Sequence, residues 1–216
     1  MLININYINL NKRIDRKNHI ENVFNNSKKI NIKRFNAIKN DNGAVGCYLS
    51  HIALLKDAIN KNEKYVFIIE DDFDCTSIET FETKLESILN NDNINFDVLL
   101  FGGNILPNYK KINNDCVQVF HSQTTTGYCV ASHYFETLLN HYKEGVINLM
   151  KNPESKLQYA IDRFWIHLQQ KDKWLIIFPL MVFQKENDYS DIEKKIVNYK
   201  NIMLDSEKIF LKGLSF

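Results

Sequence analysis

The sequence predicts an α/β fold: a central, mainly parallel sheet flanked by helices. Strand-like and helix-like stretches alternate through the first half of the chain. The unbroken apolar run "YVFIIE" (residues 65–70) has the character of a strand buried on both faces. No internal repeat, low-complexity linker or composition break divides the chain.

Each element has its own local reason. "LININYINL" (residues 2–10) alternates apolar residues with Asn at the period of two that a strand needs. "KRIDRKNHIENVFNN" then brings Ile14, Ile20, Val23 and Phe24 near one helical face, and "INIKRFNAI" returns as a short strand. Asp41, Asn42 and Gly43 supply turn chemistry before a helix carrying Leu49, Ile52, Ala53, Leu55 and Ile59. "YVFIIE" follows as a central strand, "IETFETKLESILNN" as a helix and "FDVLLFGG" as a strand. "CVQVFHSQTTTGYCVAS" reads as two short strands around a Thr-Gly turn, and "HYFETLLNHYKEGVINLMKN" and "LQYAIDRFWIHLQQKDK" read as helices. "WLIIFPLMVFQ" reads as a strand broken at Pro179. We expect one domain over residues 1–193. Residues 194–216 form a tail at roughly helical spacing that packs on the domain, on a partner or on a membrane surface.

Composition narrows the function. Lys and Arg number 27 against 26 Asp and Glu, a formal net charge of +1, so no broad field draws nucleic acid or an acidic membrane. Cys47, Cys75, Cys116 and Cys129 contain no CxxC pair and fit free thiols in a reducing compartment. The N-terminus lacks the basic start and continuous apolar stretch of a signal peptide, and no segment reaches the ~18 apolar residues of a membrane span. The expectation is a soluble, cytoplasmic protein.

The chemistry gathers at "EDDFD". Glu70, Asp71 and Asp72 end the central strand and Asp74 follows, with no Lys or Arg between Tyr65 and Ser77. In an open α/β sheet, ligands collect at the carboxyl ends of strands. Carboxylates so close repel one another, and magnesium or manganese relieves that repulsion while accepting phosphate oxygens. The pattern therefore suggests a metal–diphosphate site, with Asp72 and Asp74 as mere caps of the next helix as the alternative.

Further stretches have the character of site loops. Arg13, Asp15 and Arg16 follow the first strand, where guanidinium forks suit a diphosphate or a carboxylate. "GAVGCYLSH" sets Ser50 and His51 in the first turns of a helix whose backbone N–H groups can meet an anion, although the stretch is neither a P-loop nor GxGxxG. "TTTGYCV" offers hydroxyls and Gly127 to cradle a sugar, or else forms a hairpin. "AIDRFW" sets Asp162 beside Arg163 and Trp165, a carboxylate next to an aromatic platform, as a base acting on a sugar hydroxyl requires.

Together "INYINLNKRIDR", "FNAI", "GAVGCYLSHIALLKDAI", "VFIIEDDF", "FDVLLFGG", "TTTGYCVAS" and "PLMVFQKENDYSDIE" resemble the family 25 glycosyltransferases, which include lipooligosaccharide and collagen galactosyltransferases. "TTTGY" and "YAIDRFW" place the likeness nearer compact viral or microbial versions. The resemblance implies a GT-A-type nucleotide-sugar-binding fold, a UDP-linked donor and manganese (or magnesium) held by the acidic motif. Asp72, with Asp71 or Glu70, would then serve the metal. Asn9, Leu10 and Arg13 would lie near the nucleotide and Gln184 near donor or acceptor; with the residue reading, Arg16, His51, Asp71, Gly127 and Gln184 join them as candidate donor contacts. Ser190 and Asp191 match a C-terminal family segment. The chain has the triplet EDD where the family motif is a spaced DxD, which leaves open which carboxylate touches metal.

These observations lead to one expectation: a metal-dependent, inverting transferase moving galactose or glucose from a UDP-sugar to a glycan or protein-linked hydroxyl. Asp162 is the first candidate base and Asp191 the second. A metal-dependent nucleotidyl or phosphoryl transferase, or a non-catalytic glycan-binding or assembly member, are the alternatives.

Overall fold

A computed structural model describes residues 2–209. In chain order the elements are β1 (Ile3–Asn9), α1 (Ile14–Val23), β2 (Ile30–Asn36), α2 (Gly43–Asn60), β3 (Tyr65–Glu70), β4 (Phe73–Cys75), α3 (Ile78–Leu89) and β5 (Val98–Leu100). The short β6 (Asn104–Ile105), β7 (Lys110–Lys111), β8 (Cys116–Gln118) and β9 (Ser122–Gln123) lead to β10 (Gly127–Ala131) and α4 (Phe135–Lys151). Three single-turn helices, α5 (Lys156–Tyr159), α6 (Ile161–Phe164) and α7 (Ile166–Gln169), precede β11 (Trp174–Ile177), β12 (Val182–Gln184), β13 (Asp188–Ser190), β14 (Lys195–Val197) and α8 (Lys200–Leu204).

Eight strands form one sheet in the order β2-β1-β3-β10-β5-β11-β8-β7. Six point the same way, and only β10 and β8 are reversed. The pleat sorts side chains into two cores, because successive residues of a strand face opposite sides. Val66, Ile68, Val98, Leu100, Tyr128, Val130, Trp174 and Ile176 face α2 and α4. Phe67, Ile69, Leu99, Cys129, Leu175 and Ile177 share the opposite core with Ile20 of α1 and Phe81 and Leu85 of α3. No helix of the described residues is long and apolar enough to cross a membrane.

Three local expectations change. The segment around Gly127 is not a hairpin: β10 inserts between β3 and β5, antiparallel to both, and all five of its residues are buried. Residues 156–169 do not make one helix, because Ala160 is extended (φ −61°, ψ 147°) and divides α5 from α6. The tail begins as β14 paired with β13 rather than as a helix, and Met203 of α8 is fully buried. Residues 210–216 lie outside the described residues.

Candidate active site

The carboxyl ends of β1 and β3 open on a cavity of about 930 Å³ that α2, the 123–125 loop, α6 and the 190–193 segment also line. The reversed strand β10 starts at this edge, so the loop before it reaches the cavity.

The pleat splits the acidic run. Glu70 keeps the parity of Ile68 and faces α2, where its Oε1 accepts from the Thr125 hydroxyl (2.8 Å) and lies 3.4 Å from His51 Nε2 and 3.5 Å from Cys47 Sγ. Asp71 faces α1: its Oδ1 accepts from Arg16 Nη1 (2.8 Å) and its Oδ2 from Asn9 Nδ2 (2.7 Å). Asp72 Oδ2 accepts from Gln184 Nε2 (3.2 Å) and lies 3.5 Å from Arg16 Nη1. Asp72 Oδ1 is buried and has no hydrogen-bond partner among the described residues.

This arrangement corrects the argument from uncompensated charge. No cation intervenes in sequence, but Arg16 supplies one in space, and its Nε also lies 2.6 Å from Asp188 Oδ2. Arg13 is spent similarly, pairing with Asp15 (2.8 Å), Asp188 (3.1 Å) and Asp191 (2.7 Å). Both guanidiniums line the cavity, but their forks grip carboxylates of the chain. The cap reading also gives way: Ser77 caps α3, its hydroxyl accepting from Thr80 N.

Titration follows the environment. Burial pushes Asp72 up to about 7, against the pull of Arg16 and with the repulsion of Glu70, Asp71 and Asp188 added. Burial likewise raises Asp71, opposed by Arg16 and Asn9. Glu70 moves the other way: burial would raise it, but its hydrogen bond to His51, the His51 charge and the Thr125 hydroxyl leave it below the ordinary value. Burial raises Asp162, whose Oδ2 accepts from Thr124 N at 3.0 Å. Asp191 is held below the ordinary carboxylate range, since Lys12 (2.6 Å) and Arg13 outweigh its burial.

Leu10, His51, Glu70, Asp71, Asp72, Asp162, Gln184 and Asp191 therefore all line one cavity, as do Arg13 and Arg16. Other expected residues play different parts. Asn9 is buried and orients Asp71, its own Oδ1 accepting from Arg34 Nε (2.9 Å). Gly127 is not at the cavity wall; a Cβ there would stand 2.8 Å from the Phe101 ring, so this glycine serves close strand packing. Asp74 also lies away from the wall, its Oδ1 accepting from Cys75 N. Trp165 is no sugar platform, since it is fully buried and donates from Nε1 to Ser122 O (2.8 Å). Ser50 ties α2 to its approach loop, accepting from Ile38 N (2.9 Å) and donating to Gly46 O (2.8 Å).

Sequence reasoning passed over Asp188, which carries no local pattern, and took Thr124 and Thr125 only as hydroxyls of the "TTTGYCV" stretch and Cys47 only as a free thiol, although the i,i+4 spacing of Cys47 and His51 was a usable signal.

Comparison with known proteins bears on this site. No curated protein matches the chain. Among solved structures it is similar to mannose-1-phosphate geranyltransferase from Thermus thermophilus, at 8% identity and a TM-score of 0.48 over 84% of this chain and 75% of that one. It is also similar to A197 from STIV, at 12% identity and 0.48 over 91% and 93%. A glycosyltransferase involved in the glycosylation of the major capsid of PBCV-1 gives 11% and 0.44 over 82% and 81%. The sequence profile described as glycosyltransferase family 25 (LPS biosynthesis protein) matches residues 41–152, from the loop before α2 to the end of α4, including Glu70, Asp71 and Asp72. That match spans more than half of the 216 residues, and the chain belongs to glycosyltransferase family 25.

Proposed function

We propose that the protein is a metal-dependent, inverting glycosyltransferase that moves galactose or glucose from a UDP-sugar to a hydroxyl of a glycan or protein-linked acceptor. Family membership supports glycosyl transfer in general. The observation that carries the finer reading is the unpartnered, buried Oδ1 of Asp72 at the wall of a cavity whose 930 Å³ suits a nucleotide sugar.

The residues fit a hard divalent cation, manganese or magnesium, through Asp72. Asp71 has both oxygens engaged and Glu70 is turned toward α2, so Asp72 is the protein ligand, with Asp71 and Glu70 shaping its field. One or two carboxylates completed by phosphate oxygens and water are a usual set for such an ion. Asp72 would hold such an ion where its charge could offset that building on the departing diphosphate.

Asp162 then takes the proton from the acceptor hydroxyl as that oxygen attacks the anomeric carbon and the bond to UDP breaks. Its raised proton affinity suits this role, and Thr124 N–H fixes its orientation. Asp191, held ionised by two cations, is the weaker base. Inversion needs one base and no covalent nucleophile. The test is thermal: UDP with manganese raises the melting temperature of the wild type and not of Asp72→Asn, and an equal rise in both would count against the cation site.

A further inference from the structure

Cys47, His51 and Glu70 form a second cluster at the cavity wall, separate from Asp72. Cys47 and His51 stand one turn apart on α2 and so share a face, which meets the end of β3 where Glu70 projects. Their ligand atoms lie within 4.8 Å of one another. His51 Nε2 and Cys47 Sγ lie 3.4 Å and 3.5 Å from Glu70 Oε1. The nitrogen contact is longer than an ordinary N–H···O bond of about 2.7–3.2 Å. Both separations equal the edges of a tetrahedron of ligands about 2.0–2.3 Å from zinc, roughly 3.3–3.6 Å.

The surroundings orient these groups. His51 Nδ1 lies 2.6 Å from the Tyr128 hydroxyl, which also accepts from Tyr142 (3.2 Å). With an ion bound, a proton on Nδ1 donated to Tyr128 would leave Nε2 free to bind the metal in place of its bond to Glu70. Thr125 donates to Glu70 (2.8 Å), so the imidazole and the carboxylate are each held by a hydroxyl, as ligands of transition metals usually are.

We propose that Cys47 Sγ, His51 Nε2 and the Glu70 carboxylate form a site for a soft or borderline divalent cation, zinc above all. Thiolate and imidazole select zinc over magnesium or manganese, so this ion differs in chemistry from the one assigned to Asp72. The Cys47 thiol gives its proton to solvent as the sulfur–metal bond forms. Three protein ligands leave the fourth position facing the cavity, the composition of a site that also takes an oxygen of water or substrate.

The test uses the full chain and cobalt(II) as the probe, with zinc as competitor. Cobalt bound by Cys47 is expected to show a sulfur-to-cobalt charge-transfer band, which cobalt at the oxygen-only Asp72 site would lack. Zinc should displace it, Cys47→Ser should abolish the band and Cys75→Ser should leave it. If Cys47→Ser does not fold, His51→Gln must weaken cobalt binding instead. Tyr128→Phe should weaken it about 10- to 100-fold. Absence of the band from the wild type, or its persistence in Cys47→Ser, overturns the proposal. These readouts need no UDP-sugar, so this site and the transferase reading can fail separately.

Discussion

Arg16 Nη1 lies 2.8 Å from Asp71 Oδ1, bridging the helix after the first strand to the end of the central strand, 55 residues away. Both side chains are buried, and the same guanidinium also meets Asp72 and Asp188. Removing it leaves Asp71 and Asp72 without a cation in a poorly solvated place, while Arg13 still pairs with Asp188. Arg16→Met should cost about 3–5 kcal/mol in urea unfolding, as breaking a buried pair does. Adding Asp71→Asn should restore part of that loss. A cost below about 1 kcal/mol would show that the ion pair does not organise the site.

Asp72 ties stability to pH. An acid at about 7 when folded, against an ordinary 3.8, keeps its proton in the folded chain after the unfolded chain has released it. Its contribution is therefore full below about 4 and is lost as pH rises to about 7. The melting temperature of the wild type, relative to Asp72→Asn, should fall across that window and level off above it. A difference independent of pH would contradict the shift.

The proposed function gives Asp162 the part of base rather than of nucleotide contact. Asp162→Asn should lower kcat by about 10²- to 10⁴-fold while UDP affinity stays within about twofold. Loss of UDP affinity of the same size would move Asp162 from base to donor contact.

Gly46 sets how closely α2 approaches the loop bordering the cavity. A Cβ there would stand 2.7 Å from Ile38 O and 3.3 Å from Asn40 N, both backbone atoms. Gly46→Ala should destabilise by about 1–3 kcal/mol, measured by urea unfolding. An unchanged midpoint would mean that the loop yields freely.

The fold was legible where local pattern decides structure. The alternation in β1, the continuous run of β3 and the helical spacing of α2 and α3 all appear at their expected places. What failed depends on distant partners. "GYCVA" suits a hairpin strand as well as a buried one, and only its insertion between β3 and β5 decides between them. The carboxylates that share the cavity could be picked out in the sequence, but not the network that joins them. Glu70, Asp71, Asp72, Asp162 and Asp191 share the cavity, yet no spacing along the chain reveals that Arg16 neutralises Asp71 or that Asp188 joins Arg13 to Arg16. The pleat explains why adjacent Glu70 and Asp71 serve different neighbourhoods, a separation the triplet EDD conceals.

The most direct measurement is UDP release from a panel of UDP-sugars by the purified chain, with manganese, with chelator and in Asp72→Asn. Manganese-dependent release from UDP-galactose or UDP-glucose, absent with chelator and in the variant, is the predicted result. No release from any sugar, together with no rise in melting temperature on adding UDP and manganese, would contradict a nucleotide-sugar transferase.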